Sequence, residues 1–219
     1  MKKIFAFVAA ALMFVGCNST KNYVVEGNIE GFSGQVLVTD FEGQTILGLA
    51  TVKDGSFSID VDNEQEAPFI GVLTIDNTPI CPIFFDAEKV IVEGNIYGGL
   101  IVSGSEANDA FVAFQEATAE FENNLPEDFD VNNPAPEVNE AIAKLLGEQF
   151  EANKDNLFGG FLIVSGMVPA ETPEQLLGYI DALGKEPQSL PQVQSMKSFV
   201  EQAMAEEAAA TEEETAAEE

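Results

Sequence analysis

The hydrophobic pattern of the chain changes its period once, at Ser103–Glu106, and this change limits the folds available. From Tyr23 to about Ser103, apolar and polar residues alternate, which is the period of a β-strand. Turn signals divide this part into about eight short strands, and Asp54-Gly55 is the strongest because both residues accept positive φ. After the change, apolar residues recur every three or four positions, as on one face of an α-helix. The sequence therefore predicts an α+β protein: an N-terminal antiparallel β-sandwich or open barrel followed by a C-terminal helical domain.

Two of the predicted strands, Phe69–Ile75 and Ile80–Phe85, are apolar on both faces. This pattern is typical of strands in the middle of a sandwich, because a strand covered on both faces loses the alternation. A short motif, Val25–Gly31, recurs as Val92–Gly98. Two copies are too few for a solenoid, so we expect two strands with the same role that lie close together in a sheet.

The second half of the sequence contains the signals of several helices. Ser105 is placed to cap the first helix, and Thr172-Pro173 is a typical helix opening. The last amphipathic pattern ends near Glu206, and the chain from there to Glu219 contains only Ala, Thr and Glu. Its low hydrophobicity and single sign of charge predict a disordered acidic tail.

The first residues predict a secretory signal peptide. Lys2 and Lys3 precede the apolar run Ile4–Val15, which as a helix rises only ~18 Å against ~30 Å of bilayer hydrocarbon. Gly16-Cys17, which follows, resembles the lipobox of bacterial lipoproteins, in which the cysteine thiol is acylated and the chain is cut before it. We therefore expect Cys17 to be lipidated, and an ordinary secretory signal is the alternative.

The expected organisation follows from these boundaries. It comprises a lipoprotein signal peptide (1–16), a tether (17–22), a β-sandwich domain (23–104), a helical domain (105–205) and a disordered acidic tail (206–219). Asn18 after the cysteine favours a cell-envelope location, anchored by lipid in the outer membrane and facing the periplasm.

The charge balance excludes several classes of partner. The net charge is −29, and the sequence contains no Arg and no His. Nucleic-acid binding depends on Lys and Arg that neutralise phosphates, so we expect no nucleic-acid partner. An acidic body does not lie flat on an anionic bilayer, so attachment to the membrane is left to the lipid anchor.

Cys81 is the one thiol that remains if Cys17 is acylated, so no intramolecular disulfide is expected. It follows Pro79-Ile80 and precedes Pro82, with no cation nearby in sequence to lower its pKa. We interpret it as a small buried hydrophobe, and a redox contact with a partner is the alternative.

Acidic clusters invite a metal-site or catalytic interpretation. Asp60–Glu64 has alternating oxygen ligands but lacks the glycine and the distal glutamate of an EF-hand loop. We interpret it as a solvated strand end, and Glu127, Asp128 and Asp130 as a solvated link. Two carboxylates suffice for glycoside hydrolysis, but nothing in the sequence selects two. We expect no metal, no cofactor and no catalytic residue.

The order of the pieces is similar to one group of lipoproteins from gut and oral anaerobes. In that group an N-terminal domain of unknown function and a helical segment precede a thioredoxin-like or peroxiredoxin-type domain of thiol–disulfide interchange proteins. The resemblance covers Tyr23 to about Val200 and rests on YVVEGNIEG, VKDGSFSI, PIFFDAEKVIVEGNI, VSGSEANDAF and NKDNLFGGFLI. It implies the companion domain alone, because the family's Cys-x-x-Cys pair is absent and the Ala/Glu tail occupies the place of the thioredoxin domain.

These observations favour a lipid-anchored cell-envelope binding or interaction module without catalytic activity. Its partner would be an envelope protein or a small-molecule or glycan ligand, bound by a sandwich face, by loops or in a groove between sheet and helices. The alternative is an accessory, non-catalytic subunit of an envelope thiol–disulfide or peroxide-defence system that acts with a thioredoxin-like partner.

Overall fold

The structure is a computed structural model that describes residues 23–62, 68–126, 129–131 and 133–217. The predicted signal peptide, the tether and the lipidation site Cys17 lie outside these residues. Within them the chain forms β1 (Tyr23–Ile29), β2 (Gly34–Asp40), β3 (Ile46–Val52), β4 (Ser56–Val61), β5 (Phe69–Ile75), β6 (Thr78–Phe85), β7 (Lys89–Asn95), β8 (Gly99–Ser103), α1 (Glu106–Asn123), α2 (Pro136–Asn153), α3 (Leu157–Val164), α4 (Pro173–Ala182), α5 (Lys185–Gln188) and α6 (Pro191–Ala217). The α+β layout, with strands first and helices after them, is confirmed.

The strands form two sheets that face each other. The first sheet has the order β4-β1-β7-β8 and the second sheet the order β3-β2-β5-β6. Alternate side chains of both sheets fill the space between them, among them Val25, Val36, Leu73 and Val92. This inner core explains the alternation of β1 directly, since its odd-numbered positions point inward.

One strand pair departs from the predicted antiparallel sandwich. β1 and β7 are parallel, with Val25 opposite Val90 and Gly27 opposite Val92, whereas the other pairs of the described strands are antiparallel. β4 joins one side of β1 after β2 and β3, and β7 reaches the other side only after β5 and β6 have completed the second sheet, so no hairpin connects β7 to β1. The parallel pair also confirms that the two VEGNI motifs lie close together, because they form these neighbouring strands.

The β3–β4 connection has the expected tight turn. Asp54 and Gly55 both have positive φ, 59° and 86°, which matches the preference of Asp-Gly for such hairpins. β3 belongs to the second sheet and β4 to the first, so this hairpin crosses from one sheet to the other. The Asp62 N–H donates to the Leu47 carbonyl at 2.8 Å and helps to close this side of the sandwich.

The helices cover part of the outer face of the second sheet. Ile70 of β5 and Phe84 of β6 point away from the inner core and lie in a second core with residues of α1, α3 and the later helices. This explains why β5 and β6 are apolar on both faces. The prediction that both strands come from the middle was wrong for β6, which is an edge strand with its outer face under helices.

A buried polar contact joins the helical part to the edge of β6. The Asn108 side chain is fully buried; its Oδ1 accepts from the Phe84 N–H at 3.0 Å, and its Nδ2 donates to the Phe84 carbonyl at 2.7 Å. Asn108 thus takes the place of a neighbouring strand at that residue. Ser105 caps α1 as predicted, since its hydroxyl accepts from the Asn108 N–H at 3.2 Å.

The last helix is longer than the sequence predicted. α6 continues past Glu206 to Ala217, so the predicted disordered tail at 206–219 is helical over its described length. Ala and Glu are strong helix formers, and the prediction considered only their low hydrophobicity and their charge. The prediction also missed the short α5. No helix in the described ranges is long and apolar enough to span a membrane.

Candidate functional site

An open groove lies where the second sheet meets the start of α6. Its main cavity measures about 550 Å³, within the range of ligand sites. The turn between β2 and β3, with Phe41 and Glu42, lines one side, and Pro191 and Gln192 of α6 line the other. Asp62, just after β4, and Phe69, at the start of β5, complete it. The groove is therefore assembled from distant parts of the chain.

The floor of the groove is apolar and is fixed by aromatic contacts. Phe69 stacks on Phe85, with ring centroids 4.5 Å apart, and meets Tyr23 edge-on at 5.6 Å. Phe41 meets Phe161 of α3 edge-on at 6.3 Å. These contacts hold both rings in place on the sandwich and on the helical layer, so the floor is formed before any ligand arrives.

Three carboxylates, those of Asp40, Glu42 and Asp62, line the same groove. Glu42 is exposed, and its Oε1 accepts a hydrogen bond of 3.4 Å from the Gln192 side chain. This bond joins the β2–β3 turn to α6 across the groove. The site therefore combines an apolar floor with negative charge.

The Asp40 carboxylate is fixed by the turn that it opens. Its Oδ1 accepts a hydrogen bond of 2.7 Å from the Gln44 N–H. Burial alone raises the pKa of Asp40, but hydrogen bonds from the side chain and backbone of Thr45 and from the N–H groups of Gln44 and Gly43 outweigh burial and lower the pKa from its ordinary 3.8. Asp40 is therefore negatively charged at neutral pH.

Two further depressions continue the groove on either side of Phe41 and Glu42. One, of about 400 Å³, runs along α6 past Met196 to Phe199, whose side chain is 73% exposed. The other, of about 440 Å³, runs over the outer face of the second sheet, where Ile46 is 60% exposed. The apolar lining thus continues beyond the main cavity in both directions.

The lysines of the described residues lie elsewhere. Lys89 pairs with Glu26 at 2.6 Å, and Lys197 pairs with Asp181 at 2.6 Å. Lys144 pairs with Glu148 within α2, and Lys154, the residue after α2, pairs with Glu151 of that helix. No lysine lines the main cavity or its two extensions in the part of the chain that the structure describes, so the negative charge of the groove has no protein cation beside it there.

Cys81, which the sequence predicts to be a small buried hydrophobe with a redox contact as the alternative, lies apart from the groove. It is on β6 opposite Leu73 and packs, partly buried, against the inner core. Burial raises the pKa of the thiol from 9.0 to about 11. The nucleophilic form is the thiolate, so the environment of Cys81 suits the structural interpretation better than the redox one.

The acidic clusters of the sequence are separated by the fold. Asp62 lines the groove, whereas Asp60 lies on the outer side of β4; Asn63 and Glu64 lie outside the described residues, as do Glu127 and Asp128. Over ranges 23–62, 68–126, 129–131 and 133–217, no group of three or more acidic, cysteine or histidine side chains could hold a metal ion.

The sequence predicts a groove between sheet and helices as one place for binding but does not identify the residues that line it. Glu42 and Gln192 are 150 positions apart, and only the packing of the helices on the second sheet brings them together. The one usable local signal was Phe41 in a polar turn, beside Glu42-Gly43. No protein-family model, curated protein or solved structure matches the chain.

Proposed function

We propose that this protein is a lipid-anchored binding module of the cell envelope, held through Cys17 in the outer membrane on the periplasmic side, and that it acts without catalysis. The observation that carries the proposal is the open groove between the second sheet and α6, whose floor is apolar and whose lining is acidic. Fixed aromatic rings together with a few polar groups are typical of binding sites.

The place where the chain enters the sandwich agrees with this proposal. Tyr23 begins β1, and its ring contacts Phe69, which lines the groove. The predicted segment Asn18–Asn22 reaches at most ~18 Å. A lipid anchor at Cys17 would therefore hold the groove close to the membrane surface.

The alternative role, as an accessory subunit of a thiol–disulfide or peroxide-defence system, needs a point of contact with a redox partner. Cys81 is the thiol available for it, and its raised pKa and inner-core packing weigh against attack on a disulfide. A mixed disulfide trapped through Cys81 and lost in Cys81→Ser would favour this alternative over the binding module.

The anchoring half of the proposal is tested on the intact protein expressed in its own envelope. Mass spectrometry of the mature N-terminus should show Cys17 as the first residue with acyl groups attached. Cys17→Ser should give an unacylated chain that is not cut before position 17. A wild-type protein that is found free of the membrane with an unmodified Cys17 would contradict lipid anchoring.

The binding half is tested by photo-crosslinking in the envelope. A photoreactive amino acid at position 46, beside the groove, should give discrete crosslinked products. The matched control is position 101 on the first sheet, because Ile101 is similarly exposed, at 55%. Equal products from both positions, or none from either, would contradict a binding role for the groove.

A further inference from the structure

We propose that the groove binds an extended segment of a partner envelope protein in which a Lys or Arg stands next to a large apolar side chain. The proposal rests on the binding function proposed above and adds the chemical class of the ligand. It follows from three properties of the groove: its apolar floor, its uncompensated carboxylates and its elongated shape.

The floor selects for an apolar side chain. Phe41, Ile46, Leu47, Phe69 and Ile70 line the main cavity, and Phe69 is fixed against Phe85 and Tyr23. Because the lining is already in place, a leucine or phenylalanine of the partner gains burial without the cost of ordering the groove. A purely polar chain would leave this surface unused.

The carboxylates select for a cation beside that apolar side chain. Asp40, Glu42 and Asp62 line the cavity, and no lysine of the described residues lines it with them. The lining thus carries three acidic side chains, so an approaching anion is repelled and a cation is attracted. Lys89 and Lys197 are engaged with acids away from the groove, so they are not placed to neutralise it.

The shape favours a chain over a compact ligand. The main cavity continues along α6 toward Phe199 on one side and over the outer face of the second sheet, past Ile46, on the other. Phe41 and Glu42 line all three depressions. An extended segment places successive side chains on alternate sides, so apolar and basic residues can alternate between the floor and the acidic lining.

The experiment measures binding of defined peptides to the mature protein by fluorescence anisotropy at about 0.15 M salt, where free charges are screened beyond ~8 Å. The probe is a labelled peptide of sequence Gly-Lys-Phe-Lys-Leu-Lys-Gly. Two control peptides replace its lysines by Glu or its Phe and Leu by Ser. A neutral oligosaccharide is added as a competitor, so that binding of a glycan in the same groove is seen as displacement.

Matched protein variants separate the groove from the general negative charge. Glu42→Lys is paired with Glu30→Lys, which changes the net charge equally. Glu30 is an exposed acid that follows Ile29, at the end of β1 opposite Tyr23. Ile46→Ser is paired with Leu49→Ser, an exposed residue of the same strand that lines none of the three depressions. Both exposed apolar substitutions leave the aromatic floor intact.

Glu42→Lys should weaken binding of the basic apolar probe at least about tenfold, and Ile46→Ser about threefold or more, while Glu30→Lys and Leu49→Ser each change it less than twofold. Higher salt should reduce the effect of Glu42→Lys and leave that of Ile46→Ser. Equal losses within each pair, or equal binding of the three peptides, would overturn the inference. If crosslinking from position 46 persists in that case, the groove is a binding site for another class of ligand, and displacement by the oligosaccharide would identify a glycan.

Discussion

The two sheets of the sandwich share one core but differ on their outer faces. The first sheet presents Glu26, Ser58 and Glu93 to solvent, as an ordinary half-buried sheet does. The second sheet is apolar on its outside too, and the helices bury Ile70 and Phe84 there. They leave the β2–β3 end of that face uncovered, and there the groove lies. An apolar outer face in this protein therefore marks a place for a second layer, which the described helices supply over only part of the sheet.

Removing the main contact between the second sheet and the helices should have the largest effect. Phe84→Ala deletes a fully buried ring that meets Phe111, Phe158 and Phe161. We expect the free energy of unfolding, measured by urea denaturation, to fall by about 3–5 kcal/mol. The control Ile101→Ala removes an exposed side chain of the first sheet and should cost under ~0.5 kcal/mol. Similar losses in both variants would remove the distinction between the two sheets.

Loss of the buried contact at the β6 edge should have the second largest effect on the free energy of unfolding. Asn108→Ala leaves the Phe84 N–H and carbonyl without their partner, and each unsatisfied buried group costs about 1–3 kcal/mol. We expect a loss of about 2–4 kcal/mol in the same denaturation experiment. Asn139→Ala, an exposed helical asparagine, is the matched control. A loss below ~0.5 kcal/mol in Asn108→Ala would mean that the edge of β6 is held by other contacts.

The next prediction concerns Cys81, whose side chain lies on the inner side of β6 and whose reactivity measures how well that side is buried. Because burial raises the thiol pKa from 9.0 to about 11, its thiolate fraction at neutral pH is about a hundredfold lower than in the unfolded chain. Alkylation of the folded protein should therefore be about a hundredfold slower than in urea and should accelerate tenfold per pH unit until about pH 11. The shift stabilises the fold fully below the unfolded pKa, and this contribution is lost as the pH rises toward 11. Equal labelling rates in the folded and unfolded chain at pH 7 would restore the redox interpretation of Cys81.

The smallest effects on stability should come from the uncovered face. Ile46→Ser and Leu49→Ser change exposed side chains of β3, so each should alter the free energy of unfolding by less than ~0.5 kcal/mol. Thermal and urea unfolding of both variants check this. A larger loss would show that the chain itself already covers these residues, and the uncovered end would then belong to the core.

Local signals in the sequence were enough to predict most elements of the fold. Asp54-Gly55, Ser105 and Thr172-Pro173 all act within a few residues, and the turn, the cap and the helix opening are found where these signals stand. The parallel partner of β1 and the edge position of β6 depend on which distant strands pair. Periodicity reports how many faces of a strand are buried and does not report which layer covers each face.

The candidate site was harder to predict than the fold. The general location between sheet and helices follows from the α+β order, but the groove residues come from the β2–β3 turn, the end of β4, the start of β5 and the start of α6. Asp62 belongs to the Asp60–Glu64 cluster, which the sequence predicts to be a solvated strand end, and in the structure it lines the groove together with Phe69. Its role is set by neighbours that lie far away in the sequence.

The parallel pairing of β1 and β7 has a mechanical consequence. β1 lies inside the first sheet, hydrogen-bonded to β4 on one side and to β7 on the other. A force applied through the residues before Tyr23 acts along the strand, so the bonds on both sides are loaded in shear and must break together. A protein that is held by its N-terminus in this way is attached through a strand that has hydrogen-bonded neighbours on both sides.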